Sequence, residues 1–177
     1  MVRRIFVFFA YLFFFLLALM YFTPKLSVYY FLEEQIKPFG VVISRESLTD
    51  KGLTLKIEHA SISAKSIESA NIAEIDIGIF GLYNSAEFQD IKLSSAAGAF
   101  VPLKIQNAKI VHSVLDPLHV NAQALGEFGE AAVSFDIMQK AVRLVLKPSA
   151  LMLRNYQSTL RNLKKSENGE YVYDKNF

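Results

Sequence analysis

Residues 118–137, LHVNAQALGEFGEAAVSFDI, contain the pattern that decides the fold class. Apolar or small side chains alternate with polar ones on both sides of the short segment 126–129, which begins and ends with glycine. Strict alternation is typical of strands that bury one face. A connection this short joins antiparallel neighbours. The stretch therefore predicts a β-hairpin.

The same alternation recurs on both sides of this hairpin. It is present in LTLKIEH (53–59), IAEIDIGIF (72–80), IKL (91–93), PLKIQNAKIVHSVL (102–115) and AVRLVLK (141–147). In the fourth run the register shifts after Ile105, so that Ala108, Ile110 and Val114 share a side. Turn-forming residues separate the runs, and no helical pattern lies between them, which argues against a parallel βαβ sheet. We predict a mainly β protein with an elongated, twisted antiparallel meander sheet.

One amphipathic helix is predicted after these strands. Pro148 and Ser149 open it, and Asn168 and Gly169 follow it. Its apolar stripe is formed by Met152, Tyr156, Leu160 and Leu163. Basic residues are expected in its last turn, where they complement the helix dipole: Arg161, Lys164 and Lys165. The helix should cover one end of the apolar face of the sheet, and EYVYDKNF (170–177) should add a final strand.

A transmembrane helix is predicted near the N-terminus. The run Ile5–Phe22, IFVFFAYLFFFLLALMYF, has no charged residue, and at about 1.5 Å per residue it spans about 28 Å, close to the thickness of a bilayer core. The alternative is a signal peptide, whose apolar core is usually about 7–15 residues and ends at small residues. Bulky residues occupy that place here, so we predict a retained anchor. The residues expected to hold it are Arg3, Arg4, Phe8, Phe14, Leu17 and Tyr21.

The flanking charges predict the orientation. Arg3 and Arg4 precede the span and only Lys25 follows it closely, which places the N-terminus in the cytoplasm. We therefore expect a single-pass protein whose bulk lies outside the cytoplasm. The absence of cysteine is compatible with a bacterial periplasm, and hence with an anchor in a bacterial inner membrane. Residues 1–23 would form the cytoplasmic stub and anchor, 24–38 a juxtamembrane helix capped by Thr23 with Pro24 at its first position, and 39–177 a periplasmic β domain.

Composition and motifs point away from catalysis. The chain has no cysteine, which excludes disulfides, thiolate metal ligands and a cysteine nucleophile. The three histidines, His59, His112 and His119, have no carboxylate at a spacing typical of a zinc site. Nucleotide-binding glycine motifs and a Gly-x-Ser-x-Gly elbow are absent from the sequence. We predict no catalytic residue, no cofactor, no metal and no nucleic-acid partner.

Two groups of residues are candidates for contacts with other molecules. The predicted sheet has more apolar surface than one helix can cover, so the sheet must curl, or a partner or lipid must cover the rest. The candidate partner or lipid face consists of Val133, Phe135, Ile137, Val142, Leu144 and Leu146. A basic block without acidic residues is either a solvated face or a contact with an anionic surface: Lys140, Arg143, Lys147, Arg154, Arg161, Lys164 and Lys165.

Two parts of the sequence resemble known envelope proteins. The segment 29–62, YYFLEEQIKPFGVVISRESLTDKGLTLKIEHASI, follows the span as a helix and then first strands, and PLHVNAQALGEFGEAAVSFDI with VRLVLKPS (117–137 and 142–149) forms alternating runs around a Gly-containing turn. This arrangement resembles the type II secretion system protein N-like group and, more loosely, AsmA-like proteins of the bacterial envelope. The resemblance implies a non-enzymatic envelope protein.

Three functions remain open at this point. The first is a membrane-anchored component of an envelope assembly such as a type II secretion machine, with an envelope protein as partner. The second is a lipid-handling module in which a concave sheet shields acyl chains, with phospholipid as partner. The third is an envelope hydrolase that uses one of the three histidines. We favour the first over the second, and both over the third.

Overall fold

The computed structural model describes residues 2–64 and 67–177; Met1, the first residue of the predicted stub, lies outside them. The helices are α1 (Val2–Phe22), α2 (Lys25–Ile36), α3 (Ala150–Asn155) and α4 (Gln157–Leu160). The strands are β1 (Val41–Ser44), β2 (Ser47–Asp50), β3 (Thr54–Ala64), β4 (Ile67–Ile79), β5 (Tyr83–Leu93), β6 (Lys104–Ser113), β7 (Asp116–Gly126), β8 (Gly129–Asp136), β9 (Ala141–Pro148), β10 (Lys164–Lys165) and β11 (Tyr171–Asn176).

All eleven strands form one antiparallel sheet. From β3 to β9 each strand pairs with the next in sequence, and β11 pairs with β9. At one edge both β1 and β2 pair with β3, and at the other edge β10 pairs with the first residues of β11. The predicted antiparallel meander is confirmed.

The strand registers separate an apolar face from a polar face. One row of cross-strand neighbours runs Ile57, Ile75, Phe88, Ala108, Ala124, Ala131, Leu146 and Tyr171. The next row along the strands runs Leu55, Ile77, Ala86, Ile110, Ala122, Val133, Leu144 and Tyr173. Residues between these rows, such as Lys56, Glu87 and Gln123, point to the opposite side. The alternation read from the sequence therefore defines the two faces.

A line of irregularities crosses four strands. The pairing skips one residue on each strand between Glu58–Glu74 and Ala60–Ile72, and the same skip continues through β5 and β6. His59 and Asp90, which lie in this line, have left-handed backbone angles, with φ of 59° and 50°. In a regular strand, residues three positions apart face opposite sides. Because one residue is skipped on each strand, Ile72 and Ile75 both lie on the apolar face. The skip on β6 produces the register shift predicted between Ile105 and Ala108.

Two hydrophobic clusters are formed where helices pack on the apolar face. The first lies mainly under α2, whose Tyr29 packs on a group of buried strand residues: Leu55, Ile57, Ala60, Ile72, Ile75 and Ile91. The second lies under α3 and α4, where Met152 and Leu160 pack with Phe128 and Leu146. The core is therefore located at one side and at one end of the sheet, and does not extend under all of it.

The predicted C-terminal helix is divided into two short helices. Tyr156, between α3 and α4, has φ −123° and ψ 36°, which breaks the helix. The predicted stripe still faces the core, because Met152 and Leu160 are buried and Tyr156 and Leu163 pack beside them. The expected basic last turn is wrong: Arg161 is the residue that caps α4, and Lys164 and Lys165 form strand β10. Pairing with β11 outweighs continuation of the helix there.

The junction between α1 and α2 also differs from the prediction. Pro24 occupies the N-cap position, and the Thr23 hydroxyl donates a hydrogen bond backwards to the Leu19 carbonyl at 2.7 Å, so Thr23 is not the cap. Lys25 is completely buried. Its ammonium donates to the carbonyl oxygens of Met20, Tyr21 and Thr23 at 3.2–3.4 Å. It thereby satisfies carbonyls that the end of α1 leaves free, at the end of the helix that favours a positive charge.

Candidate functional site

The two ends of the strands can be distinguished by their distance from α1. Tyr21, in the last turn of α1, lies against Gly52 in the turn between β2 and β3. Helix α2 then leads the chain to Val41, which pairs with Ala64 at the opposite end of β3. We call the strand ends near Gly52 the span end, and the ends near Ala64 the far end.

The apolar face is less completely covered at its span end, where its side chains are half-buried or exposed. Among the described residues, the two buried clusters do not include seven side chains that share this part of the face. These residues, which we call the open band, are Ile79, Ile110, Val120, Ala122, Val133, Phe135 and Val142. Leu55 and Ile110 lie in the same cross-strand row, yet Leu55 is 0% exposed and Ile110 is 39% exposed. The cover provided by α2 therefore ends between them.

The open band is bounded on two sides by the chain itself. On the β3 side stands α2, which contacts β1, β2 and β3. Toward the far end stand α3, α4 and the segment 95–103, which we call the roof. The roof is one unit because the Thr159 hydroxyl donates to the Phe100 carbonyl at 2.6 Å and Val101 packs in the second cluster. The band is thus enclosed toward the far end and open toward the span end.

One polar pair lies at the span end of this apolar surface. Asn84 and His112 are cross-strand neighbours in the row of Ile79 and Val120. The Asn84 side-chain oxygen is buried and has no hydrogen-bond partner among the described residues. The sequence analysis missed Asn84, although its alternation with Ser85, Ala86 and Glu87 places it on the apolar side. An unsatisfied acceptor here offers a hydrogen bond to a ligand donor or to water.

Only part of the candidate partner or lipid face is accessible to another molecule. Val133, Phe135, Val142 and Leu144 share one face, as predicted, and Leu144 packs beside the second cluster. Leu146 does not belong to an accessible surface, because it is buried under α3 and α4. Ile137 lies beyond the end of β8 in the following turn, where it is 44% exposed. Strand periodicity could not show that α3 and α4 cover Leu146 or that Ile137 lies in the turn after β8.

A cleft lies on the polar face of the sheet. This cleft of about 750 Å³ extends across β5 to β9. It is lined by polar-face residues that include Glu87, Gln89, Lys109, Gln123 and Lys147. Lipid handling by a concave sheet stays a prediction, and this cleft lies on the face opposite the apolar rows. The open band is bounded by α2 and the roof rather than by curvature of the strands.

Ion pairs organise the polar face. Lys56 Nζ lies 3.0 Å from Glu58 and 2.9 Å from Glu74, and Lys109 Nζ lies 2.6 Å from Glu87. The hydrogen bond to Lys56 lowers the pKa of Glu74, whereas burial and the neighbouring Glu74 raise the pKa of Asp76. Both cations are paired with carboxylates, which is typical of a solvated surface.

The predicted basic block is divided between the two ends of the sheet. Lys140 and Arg143 lie at the span end, and Arg143 is 3.9 Å from Asp174. Lys147 lies at the far end, within 3.9 Å of Glu130 and 3.8 Å of Glu170. The others, Arg154, Arg161, Lys164 and Lys165, belong to the roof and to β10. The structure does not bring the seven residues together as one patch.

The three histidines are also separated. His59 occupies the irregular position of β3, His112 lies on the apolar face, and His119 is placed between two aspartates. His119 Nδ1 is 2.7 Å from Asp116 and Nε2 is 3.6 Å from Asp136. Within residues 2–64 and 67–177 no three histidine or acidic side chains converge as metal ligands.

His119 should make stability depend on pH. The hydrogen bond and charge of Asp116, with the charge of Asp136, raise the pKa of His119 above 6.5. A raised pKa in the folded state stabilises the fold fully below pH 6.5, and this stabilisation is lost as pH rises through the folded-state pKa. We expect His119→Gln to lower the urea midpoint at about pH 5.5 and to leave it unchanged at about pH 8.5. The difference should be small, since the pair is exposed, and a loss that is equal at both pH values would contradict it.

Helix α1 has the length and composition of a membrane span. Residues Arg3–Phe22 have a mean hydropathy of 2.6, and none of the span is buried in the protein. The predicted anchor residues, from Arg3 and Arg4 to Phe8, Phe14, Leu17 and Tyr21, are all exposed on it. Such a helix serves either as an anchor or as a signal sequence.

Comparison with protein-family models, with curated proteins and with solved structures found no match to this chain. The resemblance to type II secretion protein N-like and AsmA-like proteins therefore stays a prediction.

Proposed function

We propose that this chain is a non-enzymatic, membrane-anchored module that holds acyl chains of membrane lipids on the open band. In this proposal α1 is retained in a bacterial inner membrane and the sheet lies in the periplasm. The observation that carries it is the position of the open band: α2 and the roof cover other parts of the apolar face, and the half-buried to exposed band lies at the end where α1 meets the sheet.

The chemistry of the band fits hydrocarbon. Its seven side chains, on β4 and on β6 to β9, are aliphatic or aromatic, and at strand spacings they cover roughly 220 Å². Apolar patches rimmed by polar residues occur at ligand-binding surfaces. Asn84 and His112 make the span end of this surface polar, and the polar end of a bound lipid would lie there. An acyl chain would then extend from this pair toward the roof.

Photo-crosslinking from Phe135 tests the proposal. Replacing Phe135 by benzoylphenylalanine keeps an aromatic side chain on the open band, and the full-length chain is irradiated in its own membranes. We expect adducts whose added mass is that of phospholipid. The matched control is Phe100, which is 63% exposed on the roof at the far end and should give no lipid adduct.

Adducts of Phe135 with another protein, without lipid, would contradict lipid binding. They would favour the second candidate, a component of an envelope assembly such as a secretion machine. One observation favours that candidate: β10 pairs only with Tyr171 and Val172, so the outer edge of β11 from 173 to 176 has no strand partner among the described residues. A free edge of this kind can pair with a strand of another protein. Adducts from position 174 would report such pairing.

A further inference from the structure

A row of exposed apolar side chains lies at the span end of the sheet. They belong to the turns between β2 and β3, β4 and β5, β6 and β7, and β8 and β9. Leu115 is 92% exposed, Met138 73% and Leu82 64%. The row, which we call the tips, consists of Leu53, Leu82, Val114, Leu115, Leu118, Ile137 and Met138.

Backbone hydrogen bonds hold neighbouring tips side by side. The Val114 amide donates to the Leu82 carbonyl at 2.9 Å, which joins the β4–β5 and β6–β7 turns. The Ile137 amide donates to the Leu118 carbonyl at 2.8 Å, which joins β7 to the β8–β9 turn. The tips therefore form a continuous rim with fixed spacing, in which the exposed side chains are neighbours.

The contact between Tyr21 and Gly52 fixes the level of this rim. Tyrosine at the end of a transmembrane helix lies at the level of the lipid headgroups. Gly52 has φ +81° and packs against the Tyr21 ring, so the β2–β3 turn is held at that level. From β3 to β6 the sheet crosses about 14 Å, so Leu82 and Leu115 are close to the same surface.

We propose that the tips enter the headgroup layer of the bilayer in which α1 is anchored. The sheet is then held on the membrane by two contacts, the span and the rim. This rests on the proposed retention of α1, but it does not require that the open band binds lipid. Since neighbouring strands rotate by about 20–25°, the contact is deepest at Leu53, beside Gly52, and becomes shallower through Leu82 and Leu115 to Met138.

The charges around the rim fit a headgroup layer. Lys51, Lys140 and Lys175 are exposed beside the tips, and Lys175 Nζ lies 4.9 Å from the ring centre of Phe177, which is itself 71% exposed. Four aspartates also lie at this end: Asp50 accepts a hydrogen bond from the Gly52 amide, Asp116 and Asp136 flank His119, and Asp174 lies 3.9 Å from Arg143. Exposed apolar residues flanked by lysines are typical of surfaces that bind anionic membranes.

Site-specific fluorescence tests the rim. Because the chain has no cysteine, single variants Leu82→Cys and Leu115→Cys can each carry one nitrobenzoxadiazole label. The full chain is placed, one copy per nanodisc, in phosphatidylethanolamine and phosphatidylglycerol. Quenching by lipid carrying a nitroxide near the headgroup is compared with quenching by aqueous iodide. Leu153→Cys, 44% exposed at the far end, is the matched control.

We expect lipid quenching several-fold stronger at positions 82 and 115 than at 153, and the reverse order with iodide. Equal lipid quenching at all three positions, or protection of the tips from iodide without lipid quenching, would overturn the proposal. A chain that does not enter the nanodisc would overturn the retained anchor and the rim together. A Val133→Cys probe separates the proposed function, because quenching at the tips with none at Val133 supports the rim and contradicts lipid on the open band.

Discussion

Ile57→Ala is expected to lower the free energy of unfolding by about 2–5 kcal/mol, whereas Ile110→Ala should lower it by about 1 kcal/mol or less. Both residues are isoleucines on the apolar face of the same sheet. Ile57 is 1% exposed in the cluster under α2, so its loss leaves a cavity, but Ile110 is 39% exposed on the open band and leaves none. The comparison therefore measures directly how far the cover of the sheet extends.

Pulse proteolysis in urea on the full chain in nanodiscs would give both values. If Ile110→Ala costs as much as Ile57→Ala and no lipid adduct forms at Phe135, the chain itself covers the band and the proposed function loses its basis. An equal cost together with lipid adducts at Phe135 means that bound lipid covers the band. Detergent should be avoided in this measurement, because it would fill the band and raise the cost of Ile110→Ala artificially.

Gly129→Ala is expected to lower the free energy of unfolding by about 3 kcal/mol. Gly129 begins β8 with φ +110°, and a Cβ there would collide with the Lys147 carbonyl oxygen and the Ser149 amide nitrogen of the neighbouring strand end. The same turn holds the roof, since Phe128 and Glu127 carbonyls accept hydrogen bonds from the Ser149 amide and hydroxyl. Displacing Ser149 would therefore also loosen α3.

The control for this variant is Gly169→Ala. Gly169 has φ +80°, but a Cβ there would meet nothing within 4 Å, so only the backbone strain remains, about 1 kcal/mol. Equal losses for the two variants, measured by the same urea unfolding, would mean that the close packing of Gly129 against β9 contributes nothing.

The strands could be predicted because each has a local alternation of apolar and polar residues. The alternation of Val133 and Phe135 with Ser134 and Asp136 follows from one buried face and requires no knowledge of the rest of the chain. The register shift after Ile105 was also visible, since the apolar residues change parity there. The matching shifts at His59 and Asp90 were not, because a left-handed residue in a strand has no fixed sequence signature outside glycine.

The parts that could not be predicted depend on distant contacts. Lys164 and Lys165 continue a helical pattern in sequence, but Tyr171 and Val172 become available as strand partners only in the folded sheet. Lys25 would be assigned to the surface from its type, and its burial follows from the carbonyls that the break at Pro24 exposes. The division of the apolar face into covered and open parts likewise depends on where α2 and the roof lie.

The buried ammonium of Lys25 has a mechanical consequence. Only two residues separate α1 from α2, and Lys25 ties the start of α2 to the last turn of α1 by two hydrogen bonds and to the linker residue Thr23 by a third. Because this linker is held by hydrogen bonds, a rotation of α1 is expected to move α2 and the sheet with it. Transmembrane helices tilt when bilayer thickness changes. With strands about 40 Å long acting as a lever, a tilt of about 10° would move the far end of the sheet by about 7 Å. With α1 retained as proposed, the thickness of the membrane would thereby influence the orientation of the sheet, and contact of the tips with the headgroup layer would limit this movement.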